Sequence, residues 1–430
     1  MKQVKEMLLK IMDQGRGKME VHHIIDLIAY IAVVAKLHPQ GFKRLHEATE
    51  LDHHDILHEV SQELSERFDL NEYVVTPPPP SHIDPKTLTT IVDGLANIED
   101  KKVLVKPLRH LAAQASRYGE SSSNTSTTML FKALIGNCHD KVVYDGACGL
   151  GGVVTDLGPK KAILEEIDLS TYTLASRLFR LDDSETEFHY GDALSKPQVK
   201  AASADIVVME PPLNQKFSAD QRRQLDDANY LIAKPERNMS ANAGNVLWLQ
   251  LALDKLKANG RAYILLPQGW LFRSGYDAQV RQALLELGLI EALVGLPSGL
   301  LTNTGIPTVL VVLSKAKNVD TPIHFVDASE VGATKRNQRT FNQDDVKLIA
   351  ELAAGKHTAD ERFKAVAIDE IQSNNGSLSI GAYLAKEVVV ARLSLTEELA
   401  KLAKVKNQAE QSHQWLSNLI DKVAAQTNAA

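Results

Sequence analysis

Cysteine is scarce: the 430 residues hold only Cys138 and Cys148. The pair has no metal-ligand spacing and fits a reducing cytoplasm. A signal peptide is lacking, and so is an apolar run long enough to span a bilayer. The most apolar early stretch, 24–37, is too short and contains Asp26, so it reads as a buried helix. Positive charge is not in excess. The net charge is −6, which excludes a global basic field, so any DNA contact must come from a local patch or a partner. Two nucleotide signatures are missing as well. There is no Gly-Lys-Ser/Thr of a P-loop, and Val154 stands where a dinucleotide fingerprint needs its third glycine.

What remains is an ordinary globular composition, 24% charged and 44% hydrophobic, over a length that suits two or three domains. The chain is organised around 142–152. Val142, Val143 and Tyr144 suit a short buried strand, which runs into glycines at 146, 149, 151 and 152. Such a loop lets backbone N–H groups approach a ligand, because glycine has no side chain to hold it off. The next strand candidate, 162–167, carries Glu165 and Glu166. In doubly wound folds an acid at the tip of the second strand grips a nucleotide ribose. A nucleoside-type cofactor is therefore expected here, although a glycine loop alone is also what an ordinary strand-to-helix turn looks like.

The first 70 residues have apolar positions at spacings of three and four and read as helices. His54 and His58 fall one helical turn apart, but Asp55 is too short for a zincin base and no third ligand is obvious, so a solvated helix face is the simpler reading. Four prolines make 76–81 a stiff connector. Asp84 and Pro85 open a further helical stretch to about Tyr118. The small polar run 119–128 then precedes a helix at 129–135, where capping is the expected role of its hydroxyls.

From 142 onward strand and helix patterns alternate. Strands are expected at 142–144, 162–167, 187–190, 205–209, 261–266, 290–296 and 308–313. Amphipathic helices are expected at 171–181, 246–257 and 278–287. This pattern predicts an α/β fold with a mostly parallel sheet, and ligands beyond the carboxyl ends of its strands. Those ends place Asp145, Asp192 and the run Glu210-Pro211-Pro212-Leu213 at one edge. Residues 322–385 are mixed, with a strand-like 323–326 and a basic loop (Lys335, Arg336, Arg339) that reads as a solvated turn. Ser394 to Glu397 forms a capping box. Behind it Leu395, Leu399, Leu402, Lys406, Ala409, His413, Leu416, Ile420 and Val423 recur at fours and threes. That seam suits a partner helix or packing onto the chain's own domain.

Taken in order, these segments resemble the modification (M) subunit of type I restriction–modification systems, an adenine-N6 DNA methyltransferase family. Tyr118-Gly119-Glu120 is similar to the start of the family's Gly-Glu-Phe-Tyr-Thr-Pro. Asp145-Gly-Ala-Cys-Gly-Leu-Gly-Gly152 is similar to its Asp-Pro-Ala-Cys-Gly-Thr-Gly-Gly, Glu165-Glu-Ile-Asp168 to its Gln-Glu-Ile-Asn, and Gly191-Asp192 to its Gly-Asp. The longest likeness is 260–315, and Leu378-Ser-Ile-Gly-Ala-Tyr383 resembles the closing segment. The resemblance implies a Rossmann-like methyltransferase domain at 119–385, an α-helical domain before it at 1–118, and a C-terminal helical tail at 386–430. It implies S-adenosylmethionine as cofactor, with Asp145, Ala147, Gly149 and Gly151 along its methionine part, Glu166 on the ribose, Asp192 facing the adenine, and Gly119 and Glu120 leading the remaining segment. DNA, a specificity subunit docked on the tail and a restriction subunit are the implied partners; a membrane is not.

The sequence also departs from that family. The catalytic tetrapeptide Asn/Asp-Pro-Pro-Phe/Tyr is replaced by Glu210-Pro211-Pro212-Leu213. Its first side chain and a proline carbonyl would accept hydrogen bonds from the target amine, and its aromatic ring would stack on a flipped base. Glu is one methylene longer than Asp, and Leu213 has no π face. Ser121, Ser122, Ser123 and Asn124 replace the Phe-Tyr-Thr-Pro segment, and Gly146 stands where the family has Pro. Phe217 is near enough in sequence to offer a substitute ring. Three readings stand at this point: an active adenine methyltransferase subunit, a pseudo-enzyme of the same fold, or a methyltransferase for another amine.

Overall fold

The structure, a computed structural model, describes residues 2–68, 72–115, 124–213, 215–226, 228–235, 239–301, 304–335, 338–384 and 395–427. Residues Met1–Leu384 form one compact unit and Ala385–Ala430 a second.

The first unit opens with helices α1 (Lys2–Gly15), α2 (Val21–Leu37), α3 (Pro39–Glu47), α4 (His53–Arg67) and α5 (Glu72–Val75). After the proline-rich connector come α6 (Pro85–Ala96), α7 (Val105–Gln114) and α8 (Thr125–Ile135). The apolar run of 24–37 is α2, with Ile24, Ile25 and eight further residues buried. Proline starts α6, and the Asp84 side chain caps it by accepting from the Thr87 N–H at 2.9 Å. Asn124 caps α8 in the same way. His54 and His58 lie on the exposed side of α4.

The sheet elements follow as β1 (Val142–Asp145), α9 (Gly152–Leu157), β2 (Lys161–Glu166), α10 (Leu169–Asp182), β3 (Thr186–Tyr190), β4 (Ala204–Met209), α11 (Ala219–Asp226) and α12 (Asn245–Lys255). Next are β5 (Leu256–Pro267), α13 (Tyr276–Glu286), β6 (Ile290–Gly295), β7 (Thr308–Ser314), β8 (Ile323–Asp327) and the hairpin β9 (Ala333–Lys335) and β10 (Gln338–Thr340). The unit closes with α14 (Gln343–Ala353), β11 (Phe363–Val366), α15 (Ile368–Ser373) and α16 (Ile380–Leu384). The main sheet runs β11-β8-β6-β7-β5-β4-β1-β2-β3. Most pairings are parallel, but β7 runs antiparallel to both β5 and β6, and β11 antiparallel to β8. Every residue of β7 is buried, which is why it reads as a continuous apolar run without alternation. The basic loop is the β9–β10 hairpin, where Arg339 donates to the Gly332 carbonyl at 3.2 Å. Arg336 lies outside the described residues.

One apolar layer, with α12 and α13, covers one face of the sheet, and a second, with α8, α9 and α14, covers the other. The amino-terminal helices share a third core with α10, including Leu174, Ala175 and Leu178. At its centre Arg177 of α10 pairs with Asp26 of α2 at 2.5 Å and donates to the carbonyls of Tyr73, Val74 and Thr76.

In the second unit α17 (Leu395–Thr427) is a single helix of 33 residues. From 399 to 418 every described side chain is exposed, among them Leu399, Leu402, Val405, Trp415 and Leu416. Ser394 of the expected capping box lies outside the described residues. Among the described residues no helix is long and apolar enough to cross a membrane.

Candidate active site at the strand switch point

The chain leaves β1 in one direction to build β2 and β3, then returns to the other side of β1 to build β4 and β5. A crevice opens at the carboxyl ends of strands where the order reverses in this way. Val143 pairs with Ile206 and Tyr144 with Val207, so Asp145, ending β1, and Glu210, following β4, flank that crevice.

The loop 146–151 is shaped by glycine. Gly149 and Gly151 have φ of 54° and 69°, a region that other residues enter only with strain. Behind Gly151 lies the Phe179 ring, 2.3 Å from where a Cβ would be, so any side chain there would clash. Asp145 accepts from the Ala147 N–H at 3.0 Å. Glu166, at the tip of β2, accepts from the Gly149 N–H at 2.9 Å and from the Asp168 N–H at 2.8 Å. Its neighbour Glu165 points to the other face, where it takes the Tyr144 hydroxyl at 2.5 Å and the Gln198 N–H at 2.8 Å. Both oxygens of Glu165 are thus held inside the core, and Glu166 is the acid the crevice can use.

Asp145 is only 5% exposed. Burial pushes its carboxyl up to about 8 against the opposing Ala147 hydrogen bond, and repulsion from Glu166 and Glu210 adds to the rise. Glu166 is raised for the same first reason, burial, against the opposing pull of its backbone donors. Burial also drives the Cys148 thiol well above its ordinary value, which leaves it a poor nucleophile. The site therefore gathers carboxyls at low dielectric, and among the described residues no group of three His, Cys, Asp or Glu is placed to hold a metal ion.

Asp192 lies after β3, where the Gly191 N–H donates to the Glu166 carbonyl at 3.0 Å. Its own carboxylate closes a turn, accepting from the Leu194 N–H at 3.0 Å and the Ser195 hydroxyl at 2.7 Å. After β4, Glu210 and Leu213 are half-buried, Pro211 is buried and Pro212 exposed. Phe217 is not free to replace the missing ring. It is 4% exposed and lies against Gly244, whose Cβ would meet it at 2.2 Å. Gly119 and Glu120 lie outside the described residues. Two groups near the loop escaped the sequence reading. Tyr230 reaches the Leu194 carbonyl at 2.8 Å, and Arg109 reaches the Leu150 carbonyl at 2.8 Å. Neither belongs to a local motif, so nothing in the sequence marks them.

Residues 107–390 match a family profile described as N-6 DNA Methylase. The HindI methylase subunit of a type I restriction enzyme from Haemophilus influenzae is 26% identical over 297 residues, 64% of this chain and 66% of that protein. The MpnII methylase subunit from Mycoplasma pneumoniae is 26% identical over 275 residues, 59% of this chain and 50% of that one. The chain thus spans between half and two thirds of these relatives' length. Among solved structures, a type I restriction–modification methyltransferase subunit from Streptococcus thermophilus matches with TM-score 0.65 at 20% identity, over 88% of this chain and 98% of that one. A structure of type I restriction–modification assembly matches with TM-score 0.64 at 15% identity, over 94% and 93%. At these identities the likeness is one of fold: Rossmann-like, as the strand pattern implies.

Proposed function

The chain belongs to the N-6 DNA methylase family, and on that footing we propose that it is the modification subunit of a type I restriction–modification complex, methylating adenine N6 in DNA. The observation that carries this is the meeting of the profile-matched segment with the crevice at the β1–β4 switch point, where Asp145, Glu166 and Glu210 face one another. S-adenosylmethionine, when bound, supplies the electrophilic methyl group. Asp145, Ala147, Gly149 and Gly151 would lie along its methionine part, and Glu166 would hold its ribose. Asp192 would keep the adenine side closed. Glu210 and a proline carbonyl would accept the hydrogens of the target amine and leave its lone pair free to attack. In this reading 1–118 is the helical domain, 119–385 the catalytic one and 386–430 the helix for a specificity subunit. A restriction subunit joins the assembly, and the complex works on DNA in the cytoplasm.

A second reading is a catalytically impaired pseudo-enzyme that keeps the fold and serves as a structural, DNA-binding or sensing subunit of a defence complex. Its support is Leu213 in the ring's place, with Phe217 committed to the core. Stacking on a base contributes about 1–3 kcal/mol, and a misplacement of about 1 Å can cost roughly a hundredfold in rate.

Single-molecule sequencing of host DNA, with the neighbouring genes intact, separates the two. A motif carrying N6-methyladenine that disappears with Glu210→Ala supports the enzyme. A motif unchanged by the substitution, or no motif, supports the pseudo-enzyme.

A further inference from the structure

Arg109 on α7 is 8% exposed, and its Nε donates to the Leu150 carbonyl at 2.8 Å. Its guanidinium carbon lies 4.9 Å from the centroid of the Phe179 ring, the same ring that backs Gly151. Its Nη2 is buried and has no hydrogen-bond partner among the described residues. Burial lowers its pKa only to about 10, so the group is a cation at neutral pH. A buried guanidinium with an unused donor is costly, and an apolar side chain would fill the space at less cost. Something must offset that cost, and the contact it makes is with the cofactor loop.

Leu150 lies between two glycines of positive φ, in a segment with much conformational entropy to lose. The loop is anchored from two sides at adjacent residues. Glu166 holds the Gly149 N–H from the strand side, and Arg109 holds the Leu150 carbonyl from the helical side. The Leu150 side chain itself belongs to the core shared by the amino-terminal helices and α10.

We propose that Arg109 is a positioning residue: with Phe179 it fixes the backbone of the 146–151 loop from behind, and so makes the amino-terminal helices part of the cofactor site. The proposal rests on the reading that this loop binds S-adenosylmethionine. It adds a residue outside every motif, and it makes cofactor affinity depend on how α7 is seated.

The test compares the full chain with Arg109→Gln, Arg109→Lys and Phe179→Leu by hydrogen–deuterium exchange without ligand and by titration with S-adenosylmethionine. Exchange across 146–155 should quicken about tenfold in Arg109→Gln, with α14 unchanged, because one charge-assisted hydrogen bond is lost locally. The dissociation constant should rise about tenfold, with Arg109→Lys in between, since an ammonium can still donate to a carbonyl. Phe179→Leu should move both readouts in the same direction, and it decides the matter if Arg109→Gln does not fold. Folded variants with unchanged loop exchange and unchanged affinity would overturn the proposal. A wild-type chain that does not bind S-adenosylmethionine would sink the cofactor reading, while the exchange comparison would still decide the role of Arg109.

Discussion

The Glu166 carboxylate lies 2.9 Å from the Gly149 N–H, so the acid at the tip of β2 braces the loop that ends β1. One residue thus serves both the shape of the loop and, in the proposed function, the grip on a ribose. Glu166→Gln keeps an acceptor oxygen but loses the charge; Glu166→Ala loses both. Charge-assisted hydrogen bonds contribute about 1.5–3 kcal/mol. The Gln variant should therefore bind S-adenosylmethionine about ten- to a hundredfold more weakly and melt somewhat earlier, because its NH2 meets one of the two backbone N–H donors, and the Ala variant should melt earlier still. Calorimetric titration beside a thermal melt checks both, and equal affinity in all three proteins would refute the ribose role.

Asp145 makes the cofactor site sensitive to pH. Burial pushes its carboxyl up to about 8, and a bound cation would pull that value down. Binding then requires loss of the proton, so affinity should rise with pH by up to about tenfold per unit below 8 and level off above it. Stability of the free protein has the opposite slope. The folded pKa is above the unfolded one, so the neutral carboxyl stabilises the fold at low pH, and that contribution is lost as pH rises toward 8. Asp145→Asn should flatten both profiles. Titrations from pH 6 to 8 on the two proteins decide it, and parallel slopes would exclude Asp145.

Glu210 and Leu213 are where the rate should be recoverable. If the longer carboxylate and the missing ring limit catalysis, Glu210→Asp combined with Leu213→Tyr should raise methyl transfer. The ring alone is expected to contribute about 1–3 kcal/mol, roughly tenfold or more in rate. Transfer of labelled methyl groups to DNA by the assembled complex measures it. A lower rate in the double variant would mean that Glu210 is adapted to its place.

The ion pair of Arg177 with Asp26 ties α10 to α2. Removing one member of a buried pair costs about 3–5 kcal/mol. Asp26→Ala should fall at the lower end, near 3 kcal/mol, because Arg177 keeps its three carbonyl partners. Urea unfolding gives the number, and a loss below 1 kcal/mol would show that the carbonyls alone hold the guanidinium.

Leu402 and Leu416 are exposed on α17. Changing both to Glu should leave the melting temperature of the isolated chain where it was, since neither side chain is buried there. Co-purification with the specificity subunit of the proposed complex should fail. A complex that survives both changes would remove the seam from the proposed interface.

Much of this was legible in the residues alone. Apolar runs such as 308–313 and glycines at 149 and 151 announce buried strands and a tight loop, because local sterics and burial dictate them. Asp84 announced a helix start for the same local reason, while the helix expected from 129 begins at Thr125, capped by Asn124. The edge beyond the strands' carboxyl ends, on which Asp145, Glu166 and Glu210 lie, followed from the alternating strand and helix patterns, whereas the switch point came with the strand order.

What the sequence could not decide is what depends on distant partners. Glu165 and Glu166 are identical in type and adjacent in chain, and only the pleat sends one to Tyr144 and the other to Gly149. Phe217 was open as a substitute ring until Gly244 received it. The reversed strand β7 looks like its parallel neighbours, since direction leaves no mark on an apolar run. Arg109 lies 41 residues from Leu150, and nothing local says that the two meet. Composition and period determined the kinds of element and the edge that carries the acids. Long-range packing alone decided which of those acids turns to the crevice and what holds the loop in place.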